Sequence, residues 1–132
     1  MAVHGIAHLN LRASAQTIER LRRFYVDVIG LREGPRPAFR SGSRGYWLYA
    51  GTRAVLHLTI AQDGGATVQP RGVFNHLAFD CDDPDATRAR LDAAGVAYSI
   101  GAVDDLNQIQ LFLTDPAGIG VELTFTVSST GG

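Results

Sequence analysis

An internal repeat constrains the fold of this chain more than any other feature of its sequence. Each half reads as a strand, a helix, a glycine and three further strands, over residues 6–61 and again over residues 73–127. Self-similarity at a fixed offset marks repeated structural units. The clearest matches pair residues 7–11 with 75–79, Gly30 with Gly95, and residues 55–59 with 120–124. We therefore predict two modules of the same βαβββ design.

Alternating apolar and polar residues predict the strands of both halves. Segment 31–37 contains two prolines and is either an edge strand or an extended loop. The other predicted strands cover residues 6–12, 46–50, 55–60, 73–80, 96–103, 107–114 and the final segment around Glu122.

Two helices are predicted from capping signals and from apolar residues at helical spacing. The first starts at Ser14 or Thr17 and ends at Gly30, with either Phe24 or Tyr25 on its apolar face. The second starts at Asp83, which is followed by a proline suited to a first helical turn, and it ends before Gly95.

The domain organisation follows from the repeat and from glycine-rich segments. We predict a single domain over residues 1–132, with an N-terminal module at about 5–61 and a C-terminal module at about 73–127. Residues 62–72 are predicted to form a linker. Residues 128–132 are predicted to be a disordered tail.

The composition of the chain argues against some classes of binding partner. The net charge of -1 gives no basic surface for nucleic acid or for an anionic membrane. We see neither a signal peptide nor an apolar run of the roughly 20 residues that span a bilayer. The single cysteine, Cys81, excludes an internal disulfide and fits a cytoplasmic protein, and its expected role is that of a small buried residue.

Four ionisable residues stand at related strand positions in the two halves. His8 and His76 lie on the first strands, while His57 and Glu122 lie on the last ones. An acid among apolar strand neighbours is costly to bury unless it is paired or bound to a metal. If the halves pack about a pseudo-two-fold axis, these four groups converge and form a divalent metal site. The alternative is four unrelated polar residues on wet strand faces.

With these residues in view, the chain resembles the vicinal oxygen chelate superfamily, the glyoxalase / bleomycin-resistance / dioxygenase group. The resemblance covers about residues 5–127. It is carried by the Phe-Tyr-x-Asp-x-x-Gly-Leu pattern at 24–31, by the Asp-Pro-x-Gly turn at 115–118 leading to Glu122, and by the segments around His8 and His76. It implies an α+β fold in which two βαβββ modules form a curved mixed eight-stranded cup around a divalent metal, commonly in a homodimer.

The resemblance also implies roles for individual residues. His8, His76 and Glu122 are the expected ligands of one divalent ion (Zn, Ni, Co, Mn or Fe). His57, which stands where glyoxalase-I-like members usually have a Glu, is a fourth ligand, a base or a pocket-lining residue. Glu122 or His57 is the candidate catalytic base. Strand faces and residue type, rather than the resemblance, give the candidate substrate-binding residues, which are Asn10, Arg12, Trp47, Tyr49, Thr59 and Thr124. The alternatives are ordinary pocket lining for Asn10 and the threonines, core or dimer packing for Trp47 and Tyr49, and a surface role for Arg12.

These roles imply a metal-dependent lyase, isomerase or transferase that acts on a small oxygenated substrate chelated to the ion. Two alternatives remain open. One is a metal-free binding or sequestration protein like those of bleomycin resistance, which the retained His and Glu residues argue against. The other is an extradiol-type ring-cleaving dioxygenase, which the short single domain disfavours. The sequence leaves open whether each site is built within one chain or shared across a dimer.

Overall fold

The computed structural model describes residues 4–64 and 74–127. The chain divides into two compact units, Met1–Pro70 and Arg71–Gly132, here called unit 1 and unit 2. The predicted linker at 62–72 lies mostly outside the described residues, and the predicted tail at 128–132 lies wholly outside them.

Within the described residues, each unit contains one α-helix and a four-stranded mixed sheet. The sheet orders are β1-β4-β3-β2 and β5-β8-β7-β6, and in each sheet the first and last strands pair in parallel. Two βαβββ modules of an α+β protein are thus confirmed. Unit 1 consists of β1 (Leu9–Ala13), α1 (Ala15–Arg23), β2 (Arg32–Gly34), β3 (Gly45–Ala50) and β4 (Arg53–Ile60). Unit 2 consists of β5 (His76–Cys81), α2 (Pro84–Ala93), β6 (Ser99–Val103), β7 (Gln108–Thr114) and β8 (Gly120–Thr126).

In unit 1, side chains that alternate along the strands give the sheet a core face and an open face. Leu56 and Leu58 of β4 are fully buried, as is Ile18 of α1, because the helix covers this side of the sheet. His57 and Thr59 alternate with these leucines and point to the other side. The polar face predicted for the first and last strands is therefore the face that the helix leaves uncovered.

Unit 2 repeats this arrangement. Leu77, Val121 and Leu123 are buried, and Leu91 of α2 is fully buried. Glu122 stands between two of these apolar residues on β8, as the alternation requires. The two sheets thus place His57 and Glu122 at equivalent positions on their last strands.

The first helix ends at Gly30 as predicted, but its last turns are not regular α-helix. Ser14 caps it by accepting a hydrogen bond from the Thr17 amide, but residues Phe24–Ile29 continue it as a π-helix that Gly30 ends with a φ of 98°. A regular helical period would bury either Phe24 or Tyr25. The wider π-helical turn places both in the core, where their rings meet edge to face.

Several strand boundaries also differ. β1 begins at Leu9 and β5 at His76, because pairing with the last strands begins only there. His8 therefore lies just before β1. The ambiguous segment 31–37 forms the short edge strand β2, which stops before Pro35. The second helix begins as predicted, with Asp83 accepting from the Ala86 amide. In the described part of the chain, no helix is long and apolar enough to cross a membrane.

Candidate metal and substrate site

In unit 2, His76 and Glu122 form a close pair on the neighbouring strands β5 and β8. The His76 Nε2 atom lies 3.0 Å from the Glu122 Oε2 atom. Register places His76 opposite Gly120 and Ala78 opposite Glu122, so the two side chains stand diagonally on the same face. Glu122 is only 9% exposed. A carboxylate at this depth needs a partner, and here the imidazole supplies one.

Two residues that the sequence analysis did not single out position His76. A Cβ atom at Gly120 would lie 2.9 Å from the His76 Cβ, so the missing side chain makes room for the imidazole beside β8. Asn75 Oδ1 lies 2.8 Å from His76 Nδ1. When Nδ1–H donates a hydrogen bond to Asn75, Nε2 is the nitrogen that faces Glu122. A protonated Nε2 donates to the carboxylate, and a deprotonated Nε2 offers its lone pair to a cation, the orientation common among metal-binding histidines.

The pair fits a divalent cation. Two ligand atoms bound about 2.1 Å from one ion at angles of about 90° to 109° stand about 3.0 to 3.4 Å apart. The Nε2–Oε2 distance of 3.0 Å falls at the start of this range. An imidazole nitrogen and a carboxylate oxygen are ligands that first-row metals accept. A separation of 3.0 Å is thus compatible both with a hydrogen bond and with two ligand atoms of one ion.

In unit 1, three rings form a stack on the open face. The His57 ring lies between Trp47 (centroid distance 4.1 Å, interplanar angle 8°) and His8 (3.8 Å and 14°). Trp47 and His57 are register partners on β3 and β4, while His8 reaches the stack from the residue before β1. Both faces of the His57 ring are thus covered by aromatic neighbours.

The environment of His57 keeps its ring neutral. Burial is the main cause that lowers the pKa of His57, followed by the charge of His8 and, more weakly, that of Arg36. A hydrogen bond with the Ala54 backbone acts in the opposite direction. Because that bond favours the protonated form, the ring is its donor, so one nitrogen is occupied and the other keeps its lone pair.

The stack also affects metal binding by His8 and His57. Imidazole lone pairs lie in the ring plane, so two nearly parallel stacked rings do not aim at one ion. His57 is held on both faces, whereas His8 is exposed and covered by a ring on one face. His8 is therefore the easier of the two to turn toward a metal. Among residues 4–64 and 74–127, no group of three or more His, Cys, Asp or Glu is placed to hold an ion, and the predicted ligands stand as one pair in each unit.

Two predicted substrate-binding residues of unit 1 are bonded to each other. Thr59 Oγ1 donates to Asn10 Oδ1 at 2.7 Å, on the same face as His57. Arg12 forms a solvent-exposed ion pair with Asp63 at 3.8 Å. Asn10, Thr59 and Arg12 thus line one side of the ring stack.

Tyr49 and Thr124 have local partners. Tyr49 donates to the Pro35 carbonyl at 2.6 Å and lies under the Arg32 guanidinium. Thr124 donates to the Phe79 carbonyl at 3.1 Å, a bond between β8 and β5. These contacts stabilise the edge of β3 and the β5–β8 pair.

Arg36 is a residue near the stack that the sequence analysis missed. Arg36 is half-buried, whereas Arg40 and Arg44 of the same loop are both exposed. The available signal was its position between Pro35 and Pro37, since prolines restrict the backbone on both sides. The positive charge of Arg36 is a minor cause of the lowered pKa of His57.

Residues 5–123 match the model of the Glyoxalase/Bleomycin resistance protein/Dioxygenase superfamily. The chain belongs to this superfamily. No curated protein is significantly similar to it in sequence.

Solved structures of the glyoxalase superfamily share its fold. A glyoxalase family protein from Bacillus anthracis is 24% identical, with a TM-score of 0.75 over 96% of this chain and 98% of the other. TnmS3, an antibiotic binding protein from Streptomyces sp., is 24% identical, with a TM-score of 0.68 over 96% and 99%. The fosfomycin resistance protein FosX from Listeria monocytogenes, in complex with Mn(II) and sulfate, is 15% identical, with a TM-score of 0.64 over 96% and 95%. At these identities the likeness shows a common fold.

Proposed function

We propose that this chain is a metal-dependent enzyme of the glyoxalase superfamily, a lyase, isomerase or transferase that acts on a small oxygenated substrate. The observation that carries the proposal is the His76–Glu122 pair, with Nε2 and Oε2 3.0 Å apart and a carboxylate that is 9% exposed. His76, Glu122 and His8 are the proposed ligands. FosX, a protein of the same fold, holds Mn(II).

A divalent ion held by His76, Glu122 and His8 would supply Lewis acidity toward adjacent oxygens of the substrate. In this proposal His57 is the base, because its pKa is lowered, first by burial, and one ring nitrogen keeps its lone pair. Trp47 shields one face of His57 from water and holds the ring in place. Asn10 and Thr59, already bonded to each other, offer their remaining hydrogen-bonding groups to the substrate.

Metal content tests the proposal. Protein purified without a histidine tag, stripped with EDTA and reloaded with Mn²⁺ or Zn²⁺, should retain about one ion per chain after gel filtration. A His76→Ala, Glu122→Gln double variant should lose it. His4→Ala is the matched control, since His4 is exposed and outside the site, and it should bind like the parent. If the parent protein retains no ion from either solution, the metal-dependent function is wrong.

A second candidate is a metal-free binding protein, and the Trp47–His57–His8 stack is the observation that favours it. A row of stacked rings on an open face offers planar contact area to an aromatic ligand. TnmS3, of the same fold, is an antibiotic binding protein. Trp47 is the single tryptophan of the chain, so its fluorescence reports on ligands at this face. Saturable quenching by a planar drug in EDTA, with no metal retained by the parent, would favour this candidate.

A further inference from the structure

Arg36 lies on the segment that joins β2 to β3. Its backbone is restrained by Pro35 before it and Pro37 after it. Gly34, two residues before it, is the register partner of Trp47, the outer ring of the stack. Arg36 is therefore a cation at the edge of the proposed substrate site.

The guanidinium is held in place by neighbours of its own loop. Nη1 donates to the Ser43 carbonyl at 2.9 Å, and Nη2 donates to the Ser43 hydroxyl at 3.1 Å. The Phe39 ring lies against the guanidinium, with its centroid 4.8 Å from Cζ. An arginine fixed in this way loses little further freedom when it binds a ligand.

One donor of this fixed group has no acceptor. The Arg36 Nε atom is buried and has no hydrogen-bond partner within residues 4–64 and 74–127. Leaving a buried N–H without an acceptor costs about 1–3 kcal/mol. The Nε–H and one Nη–H together form the side edge of a guanidinium, which matches the two oxygens of a carboxylate or phosphate. The orphaned donor thus lies on the edge suited to an oxyanion.

The charge of Arg36 is also unbalanced. Arg36 forms no ion pair in the described part of the chain, where the acids of unit 1 that do so are Glu19, Glu33 and Asp63. Strands β1 to β4 contain one acid, Glu33, and its register partner is the buried Leu48 of the core face. Strands β1 to β4 therefore place no carboxylate on the open face around His57.

We propose that Arg36 binds an oxyanion group of the substrate, a carboxylate or a phosphate-like group, through Nε and one Nη. This inference deepens the proposed function by naming the substrate class, and it rests on that function for the view that the bound anion is part of a substrate. The anion site itself belongs to the metal-free protein, so it can be tested separately from metal binding.

Anion titrations of EDTA-treated protein test the inference at constant ionic strength in sodium chloride. The probes are inorganic phosphate and acetate, with glycerol as the neutral control, and the readouts are Trp47 fluorescence and the NMR signal of the Arg36 Nε–H. We expect a saturable shift of both signals with phosphate, acetate or both, and none with glycerol. The stronger of the two anions identifies the phosphate-like or carboxylate class.

Three variants separate anion binding from loop structure. Arg36→Gln should weaken binding at least about tenfold, because it removes the charge and the fork of donors. Arg40→Gln, at an exposed position in the same loop, should bind like the parent. Ser43→Ala loosens the loop but keeps the guanidinium, so it should retain saturable binding with at most a modest loss.

Some results would overturn the inference. They are a linear response of the parent up to high anion concentration, equal binding by Arg36→Gln, or loss in Arg40→Gln as large as in Arg36→Gln. None of these results bears on metal retention, which is measured without added anion. Conversely, a protein that binds phosphate at Arg36 but retains no metal would disprove the proposed enzyme and leave the anion site standing.

Discussion

His57 is the residue of the candidate site whose ionisation the fold alters most clearly. Trp47 and His8 cover its two faces, and burial is the main reason that its pKa falls below the ordinary value of 6.5. A ring that stays neutral at neutral pH can accept a proton from a substrate. The same shift makes the stability of the protein depend on pH.

We expect the metal-free protein to lose stability as the pH falls below about 6.5. The unfolded chain takes up a proton at His57 before the folded chain does, so the contribution of this ring is complete above that pH and declines down to the lower folded-state pKa. The contribution of His57 to the free energy of unfolding can be measured by urea unfolding of the parent and of His57→Gln between pH 5.0 and 7.5 in EDTA. The difference in free energy of unfolding between the two proteins should shrink at low pH, with His4→Gln as the control. A difference independent of pH would contradict the shift.

Cys81 should be an unreactive thiol. Burial raises the pKa of Cys81, and the negative charges of Asp80 and Asp82 raise it further. The thiol also donates to the Phe79 carbonyl at 3.6 Å. We expect the native protein to react with a disulfide reagent at pH 7.5 more slowly than free cysteine does, and to match it after unfolding in urea. Native Cys81 that reacts faster than free cysteine would refute this.

Among the elements, the parallel pairing of the first and last strands builds the site in both units. β1 lies beside β4, and β5 lies beside β8. This pairing brings residues from the start of each repeat next to residues from its end, such as Asn10 beside His57 and His76 diagonal to Glu122. Close approach of neighbouring strands in both sheets depends on particular glycines.

Gly45 is the position where a side chain is least tolerable in the described sheets. A Cβ atom there would lie 1.9 Å from the Leu58 carbonyl oxygen, so the backbones of β3 and β4 would have to separate. We expect Gly45→Ala to destabilise the protein by about 1–3 kcal/mol, as overpacking does. Gly101→Ala is the control, because its Cβ would meet the partly exposed ring of Phe112, which can turn away. Equal urea midpoints for the two variants would show that this contact matters little.

For the whole molecule, metal binding should raise thermal stability. An ion that binds the folded chain alone, at a hundred times its dissociation constant, contributes about 2.7 kcal/mol. We expect Zn²⁺ or Mn²⁺ to raise the unfolding temperature of the EDTA-treated parent in calorimetry, and to leave the His76→Ala, Glu122→Gln double variant unchanged. An equal rise in both proteins would place the stabilising ion elsewhere.

The oligomeric state of the protein also remains a prediction. The resemblance to the superfamily implies a homodimer, and sedimentation at micromolar concentration should then give about twice the chain mass of 14.2 kDa. A mass equal to one chain across the concentration range would rule the dimer out.

Local patterns were enough to predict the two modules and the open faces of their strands. Side chains alternate along any strand, so His57, Thr59 and Glu122 could be assigned to polar faces before their neighbours were known. Capping signals at Ser14 and Asp83 likewise depend on adjacent residues, and both helices begin there. The repeat supplied the equivalence between the two halves.

Tertiary structure decided the side-chain contacts of the site and the packing of the first helix. These contacts depend on which strands become neighbours and on which side chains fit between them. No periodicity in the sequence indicates that Gly120 makes room for His76, or that His57 is stacked between Trp47 and His8. The π-helical turn that buries both Phe24 and Tyr25 is a packing solution of the same kind. The buried Nε–H of Arg36 that lacks an acceptor is likewise a property of the folded loop, in which Ser43 and Phe39 contact the guanidinium.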